Sequence, residues 1–386
     1  MPITRRLFFS LLAASFLAAV MPGASKAGDG NRYLLYVGTY TTKESRGIYA
    51  YRYDAGSGAT IPLGLAAESE NPSFLAIHPN RRFLYAVNEL ERYRGQSSGA
   101  VSAFAIDSAT GRLKLLNTLP SSGADPCYLA LDRTGKHLLV ANYTGGSVAV
   151  FPLQGDGSLG EASAFVQHTG SSVNRERQEG PHAHWMETSP DNRFALATDL
   201  GLDEVIVYRF DAAKGTVTPS DPPFAKLNAG AGPRHFAFHP NGNYGYLVNE
   251  LQSTVTVFSY QAGALHELQT VSTLPSDFRG KNDAAEIEVD PSGRFLYTSN
   301  RGDDSIALFA IDPAKGMLTA VGFTNAGGKT PRNFTLDPTG TRLFVANQDS
   351  GNIVVFAIDQ KNGRLMPTGR VLTVPSPVCL KFVTME

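Results

Sequence analysis

The chain has very little cysteine. Only Cys127 and Cys379 occur among 386 residues, too few for a disulfide framework and not spaced as zinc ligands. An excess of one charge is lacking too: 34 Lys and Arg against 35 Asp and Glu leave a net charge of −1. That balance gives no reason to expect nucleic acid or an anionic membrane as partner. Beyond residue 27 no segment is apolar enough to span a bilayer, so no membrane association is expected of the mature form. Cofactor signatures are absent as well. There is no GxGxxG between a strand and a helix, no P-loop and no HExxH. No nucleotide or redox cofactor is expected; a small molecule is the expected partner and a monomer the expected state.

The one long apolar run, Leu7 to Val20, follows Arg5-Arg6 and precedes the small-residue stretch Ala24-Ser25-Lys26-Ala27, the layout of a cleaved export signal over residues 1–27. The order Thr4-Arg5-Arg6-Leu7-Phe8 resembles a twin-arginine signal. A general secretion signal and an uncleaved anchor are the alternatives. All three place residues 28–386 outside the bacterial cytoplasm, in the periplasm or secreted. A chain exported already folded would not depend on a disulfide, so two free thiols are expected.

What is abundant is a repeat. A proline, an alternating apolar strand, a His/Asp-Pro-x-Gly-like turn, a second strand ending in Asn and a third strand closing on Asp-x-x-x-Gly recur along the chain. The turns fall at His78-Pro79, Asp132-Arg133, Ser189-Pro190, His239-Pro240, Asp290-Pro291 and Asp337-Pro338, six copies 47 to 57 residues apart. Four-stranded antiparallel units of about 50 residues are propeller blades. The ends supply a seventh: "RYLLYVGTY" and "GIYAYRYD" match the second and third strands, and the missing first strand is "SPVCLKFV" at residues 376–383. The predicted fold is all-β, a seven-bladed β-propeller of four-stranded antiparallel blades, its ring closed by N- and C-terminal strands sharing one blade. That closure is expected to leave no sheet edge open and to bury one continuous core in a single domain.

In "GPRHFAFHPNGNYGYLVNE", residues 232–250, the ionisable side chains sit at the two outer ends of a strand pair, which a hairpin brings together. Each blade should therefore deliver its post-proline residue and its strand-two terminus to one mouth of the central channel. That mouth collects Thr39-Tyr40, Asn88-Glu89, Asn142-Tyr143, His182, His184, Arg234-His235, Asn249-Glu250, Glu286, Asn300-Arg301 and Arg332-Asn333. Convergent arginines, histidines and carboxylates in a funnel suit a polar, anionic small molecule. Blade four has Ala183 in place of proline and carries His182-x-His184; residues two apart on a strand face one way, so both should enter the channel. The charged run Arg175 to Glu179 could fold over it.

Each feature has a plainer reading. The His-x-His pair could be structural, or half of a metal site whose third ligand no spacing fixes; Glu250 and Glu89 could simply close the ring as salt bridges. Arg234, Arg301 and Arg332 could be solvated rim residues, and the strand-two asparagines could cap turns.

The motifs "YVGTYT", "NPSFLAIHPNRRFLYAVNE", "RQEGPHAH", "GPRHFAFHPNGNYGYLVNE", "SNRGDDSIALFAID" and "PSPVCLKF", in this order over the whole mature chain, resemble the seven-bladed propeller lactonases, the family of bacterial 6-phosphogluconolactonases and carboxymuconate-lactonizing enzymes. The resemblance implies a metal-independent enzyme that opens or forms a lactone, with a catalytic set matching His182 or His184, Arg234, Glu250 and Arg301. Around it Arg177, His235, Asn249, Arg332 and Glu89 are expected to bind substrate. The phosphorylated sugar lactone is a cytoplasmic metabolite, so an exported chain leaves the substrate open. A lactone-forming cycloisomerase acting on a carboxymuconate-like dicarboxylate and a non-enzymatic periplasmic binding platform are the alternatives.

Overall fold

The computed structural model describes residues 1–2, 31–42 and 44–385; the expected export signal lies outside them. Seven four-stranded antiparallel sheets form the ring. Blade one combines Pro377–Thr384 with Arg32–Thr39, Gly47–Asp54 and Thr60–Glu68, and blades two to seven follow in chain order. The seam is a regular ladder in which Leu34 faces Val383 and Val37 faces Leu380. First strands touch their neighbours in a closed circuit, the C-terminal strand lying between those of blades seven and two. No helix among the described residues is long and apolar enough to cross a membrane.

Position within a blade decides composition. The second strands Phe83–Asn88, His137–Asn142 and Phe194–Asp199 are buried at every residue, because neighbouring blades cover both faces. They read as continuous apolar runs, without the alternation of a half-exposed strand. The fourth strands, such as Thr60–Glu68, carry mostly exposed or half-exposed residues. Turns of the Asp-x-x-x-Gly type end the third strands; Gly111 donates its N–H to the Asp107 carbonyl (2.8 Å) at φ +74°, where a side chain would be strained. Tyrosines of the second strands then clip blades together, Tyr85 donating to the Gly157 carbonyl, Tyr246 to Gly316 and Tyr297 to Gly363.

Two expectations need correction. Closing the ring does not remove sheet edges, since the outermost strand of each blade remains one. Those edges are interrupted instead by bulges in the fourth strands, opposite Val257 and Phe258 or Leu308 and Phe309. Nor is the core one continuous unit: the apolar interior divides into four clusters, one running through blades one to five and three smaller ones between blades five and six, six and seven, and seven and one.

Candidate active site

Two local rules aim side chains at the mouth. At the end of strand two the asparagine turns inward and the next residue turns out. Asn142 donates to the Ser121 carbonyl, Asn249 to the hydroxyls of Thr254 and Thr256, and Asn300 to the Thr273 carbonyl, leaving Tyr143, Glu250 and Arg301 at the channel. Asn249 is therefore spent inside its blade and does not join the cluster. At the start of strand one a bulge interrupts the register in six blades, and a bulge re-aims the extra residue. The residues it frees include Cys127, His184, Arg234, Arg332 and Val378, and all of these except His184 line one narrow axial cavity together with Ser73, Glu89, His235 and Glu286.

Glu250 is the centre. Its Oε2 lies 2.8 Å from Arg301 Nη2 and 3.1 Å from Arg234 Nε, while Oε1 lies 2.5 Å from Arg177 Nη2. The Arg234 contact is an ion pair but lies off the line of a hydrogen bond; that guanidinium instead donates through Nη1 to the Ala285 carbonyl at 2.6 Å. Burial alone would raise the Glu250 carboxyl, yet Arg301 and Arg234 outweigh it and hold it well below the usual carboxylate range. Arg234 moves down to about 10, first through burial and then through Arg301 and Arg332. The run preceding blade four does fold over the mouth. Asp203 pins it by accepting from Ser172 and from the buried Gln178, and Arg177 reaches from it to Glu250 and, at 3.8 Å, to Asp283.

The two histidines do not act alike, because the bulge between Ala183 and Trp185 breaks the alternation that would have paired them. His182 precedes the strand and stacks on Tyr143 at 4.6 Å, with Nδ1 against the Tyr143 carbonyl and Nε2 against Glu179. His184 sits deeper, edge-on to Tyr143 and His235, with Nδ1 3.7 Å from the Cys127 sulfur. Its Nε2 has no hydrogen-bond partner among the described residues. Burial, then Arg234 and His235, push the His184 imidazole well below its ordinary value, so it is neutral at neutral pH.

His235 and Glu286 form the floor. His235 Nδ1 donates to Glu286 at 2.8 Å, and Asn333 donates to the other carboxylate oxygen. Burial takes His235 down to about 4. Beneath this pair a second cavity opens toward the opposite face, lined by Arg133, Glu187, Glu288 and Lys381. His235 is thus 2% exposed and lies below the cluster. Glu89 is buried on the far wall, where Tyr40 donates to both of its oxygens at 2.9 Å and Ser73 bonds one of them. Arg332 stands over the Tyr40 ring. Among the described residues no group of His, Cys, Asp and Glu is arranged to hold a metal ion, and both cysteines are free and buried.

A family model described as "Lactonase, 7-bladed beta-propeller" matches residues 34–382. The chain belongs to this family. Among its relatives in the propeller lactonase family, the 6-phosphogluconolactonase of Bacillus subtilis is 39% identical over 353 residues, 91% of this chain and 98% of that one. The periplasmic gluconolactonase PpgL of Pseudomonas aeruginosa is 38% identical and superposes with a TM-score of 0.87, over 92% of this chain and all (100%) of the other. A Bacteroides fragilis structure described as a candidate 6-phosphogluconolactonase gives 39% identity and a TM-score of 0.86, over 94% of this chain and 100% of its own.

Sequence reasoning thus placed Arg177, Arg234, Glu250 and Arg301 in one cluster and His184 beside it. It missed Ser73 and Asp283. Ser73 follows Pro72 as Arg234 follows Pro233, so the post-proline rule could have found it; Asp283 has no such signal.

Proposed function

We propose that this propeller lactonase hydrolyses a sugar lactone at the channel mouth, with protein side chains supplying the chemistry. The carrying observation is a carboxylate shared by three guanidiniums beside a neutral imidazole with a free Nε2. Water attacks the lactone carbonyl while His184 Nε2 takes its proton. The new C–O bond places negative charge on the carbonyl oxygen, which the remaining N–H groups of Arg234 and Arg301 stabilise. Collapse breaks the ring C–O bond, and His184 returns the proton to the leaving alkoxide. Glu250 has too little proton affinity to act as the base; it holds the guanidiniums in place against their mutual repulsion. His182, with both ring nitrogens engaged, orients Tyr143 at the rim.

The names of the relatives favour a gluconolactone, phosphorylated or not, and the periplasmic relative together with Arg5-Arg6 favours action after export. A pH-indicator assay of the purified protein tests this, using glucono-1,5-lactone, its 6-phosphate and a carboxymuconate, with and without chelator. Acid release from either lactone, unaffected by chelator, is expected. Cyclisation of the muconate with no lactone opened would replace this reading by a cycloisomerase, and no turnover at all would favour a binding platform.

A further inference from the structure

The guanidiniums at the mouth fall into two states. Arg177, Arg234 and Arg301 all ion-pair with Glu250, and Arg234 and Arg301 donate to backbone carbonyls as well. The Arg332 guanidinium makes no hydrogen bond and no ion pair among the described residues. Its central carbon lies 5.3 Å over the Tyr40 ring. Stacking of this kind supports one face of a guanidinium and leaves its in-plane N–H edge free. The neighbouring acid does not use that edge, because the Glu89 oxygens are taken by Tyr40 and Ser73. Arg332 lines the same narrow axial cavity as Arg234 and is only partly buried, so a ligand entering the mouth can meet it.

A planar donor edge with no acceptor, held rigid from behind, matches the paired oxygens of a carboxylate or phosphate. We propose that Arg332, backed by Tyr40, is the residue that recognises the ligand's anionic group. The mouth is then divided: one wall, saturated by Glu250, performs the chemistry, and the other, unsaturated, selects ligands that carry or acquire an anionic group. The proposal rests on the lactonase reading for the source of the anion, since opening any lactone creates a carboxylate. A phosphate already on the substrate is the second source.

Calorimetric titration of the purified full chain with D-gluconate, which has only a carboxylate, and with glucitol 6-phosphate, which has only a phosphate, tests it. The wild type should bind at least one, and Arg332→Gln should weaken that binding about tenfold or more, as expected for losing a charge-assisted pair. The ligand affected identifies the source. Arg332→Lys keeps the charge but loses the planar fork and the stack, and should fall between the two. Failure of the wild type to bind either anion would overturn the proposal, as would wild-type affinity in Arg332→Gln with an unchanged melting temperature. Should Arg332→Gln not fold, an affinity in Arg332→Lys equal to wild type for both ligands would overturn it as well. Turnover is not read, so a chain that opens no lactone yet loses anion binding with Arg332 would refute the enzymatic reading alone.

Discussion

Nη2 of Arg177 lies 2.5 Å from Oε1 of Glu250, although Arg177 belongs to the connection between blades three and four and Glu250 to the end of a strand in blade five. The connection reaches that far because it is anchored on both sides. Asp199 accepts from the His182 N–H at 2.7 Å, and the Gln178 amide donates to Asp203 at 2.8 Å and to the Leu200 carbonyl. Gly201 permits the close approach: a Cβ there would sit 1.9 Å from the Gly180 carbonyl oxygen.

Arg177→Ala should lower kcat/KM on the true lactone about tenfold while costing under about 1 kcal/mol of stability, because a partly exposed ion pair contributes little to folding. The Arg177 side chain is 37% exposed, which sets that limit. Gly201→Ala, which displaces the connection without touching any charge, should reproduce the kinetic loss. Denaturant titrations and steady-state rates on both variants check this, and a normal rate in both would remove the connection from the site.

Glu250→Ala leaves Arg234, with 3% of its side chain exposed, in a buried site without its counter-charge. Stranding a buried charge costs about 3–5 kcal/mol. Unfolding curves should therefore shift markedly, and turnover should fall by about a hundredfold or more as the guanidiniums lose their alignment. Glu250→Gln preserves shape but removes the charge, and should recover little of either. Full stability in Glu250→Ala would mean that the arginines find other partners and that the cluster is not organised by this carboxylate.

The pH profile of kcat/KM follows from the same electrostatics. His184 must be neutral to accept a proton, and its value lies well below 6.5, so the acid limb should appear only well below pH 6.5. The Arg234 guanidinium must be charged, and its value of about 10 places the alkaline limb near pH 10. Glu250, ionised throughout, adds no limb of its own near neutrality. Initial rates between pH 5 and 9, corrected for spontaneous hydrolysis, should show a plateau across pH 7 to 9. A midpoint near pH 7 would point to a different base.

Much of the fold was legible because each blade repeats the same physical compromises. Turn chemistry, fully buried second strands and a terminal asparagine recur often enough to count blades and to match the C-terminal strand to the N-terminal ones. The pairing of Arg234 with Glu250 was legible for the same reason, since a hairpin brings its own ends together. What could not be read was anything set by a bulge. The bulge in blade four separated His182 from His184, which strict alternation had placed together, and it took the structure to show that Arg332 is uncommitted while Arg234 is not. Asn249 misled because a polar strand end can turn either way, and only the threonines of the next strand decide which.

Cys127 offers a test of how His184 is held. Its thiol is pushed well above the ordinary value, first by burial and then by Glu89, so it stays protonated and can donate to the Ala183 or His184 carbonyl, at 3.7 and 3.5 Å. Its sulfur is then the acceptor facing His184 Nδ1 at 3.7 Å, a weak partner that favours the tautomer with the proton on Nδ1 and the lone pair on Nε2, the form required of the base. Cys127→Ala should lower kcat by roughly fivefold, in line with a weak hydrogen bond of about 1 kcal/mol, and leave KM nearly unchanged; Cys127→Ser should restore the rate. Nitrogen chemical shifts of His184 should report Nδ1 protonation in the wild type and a mixture of tautomers in Cys127→Ala. Since the thiol is neutral and buried, iodoacetamide at pH 8 should not label it until the protein unfolds. Rapid labelling of the native protein would show a thiolate at this position, and a thiolate would draw the proton on His184 into an ion pair that leaves no neutral base at the mouth.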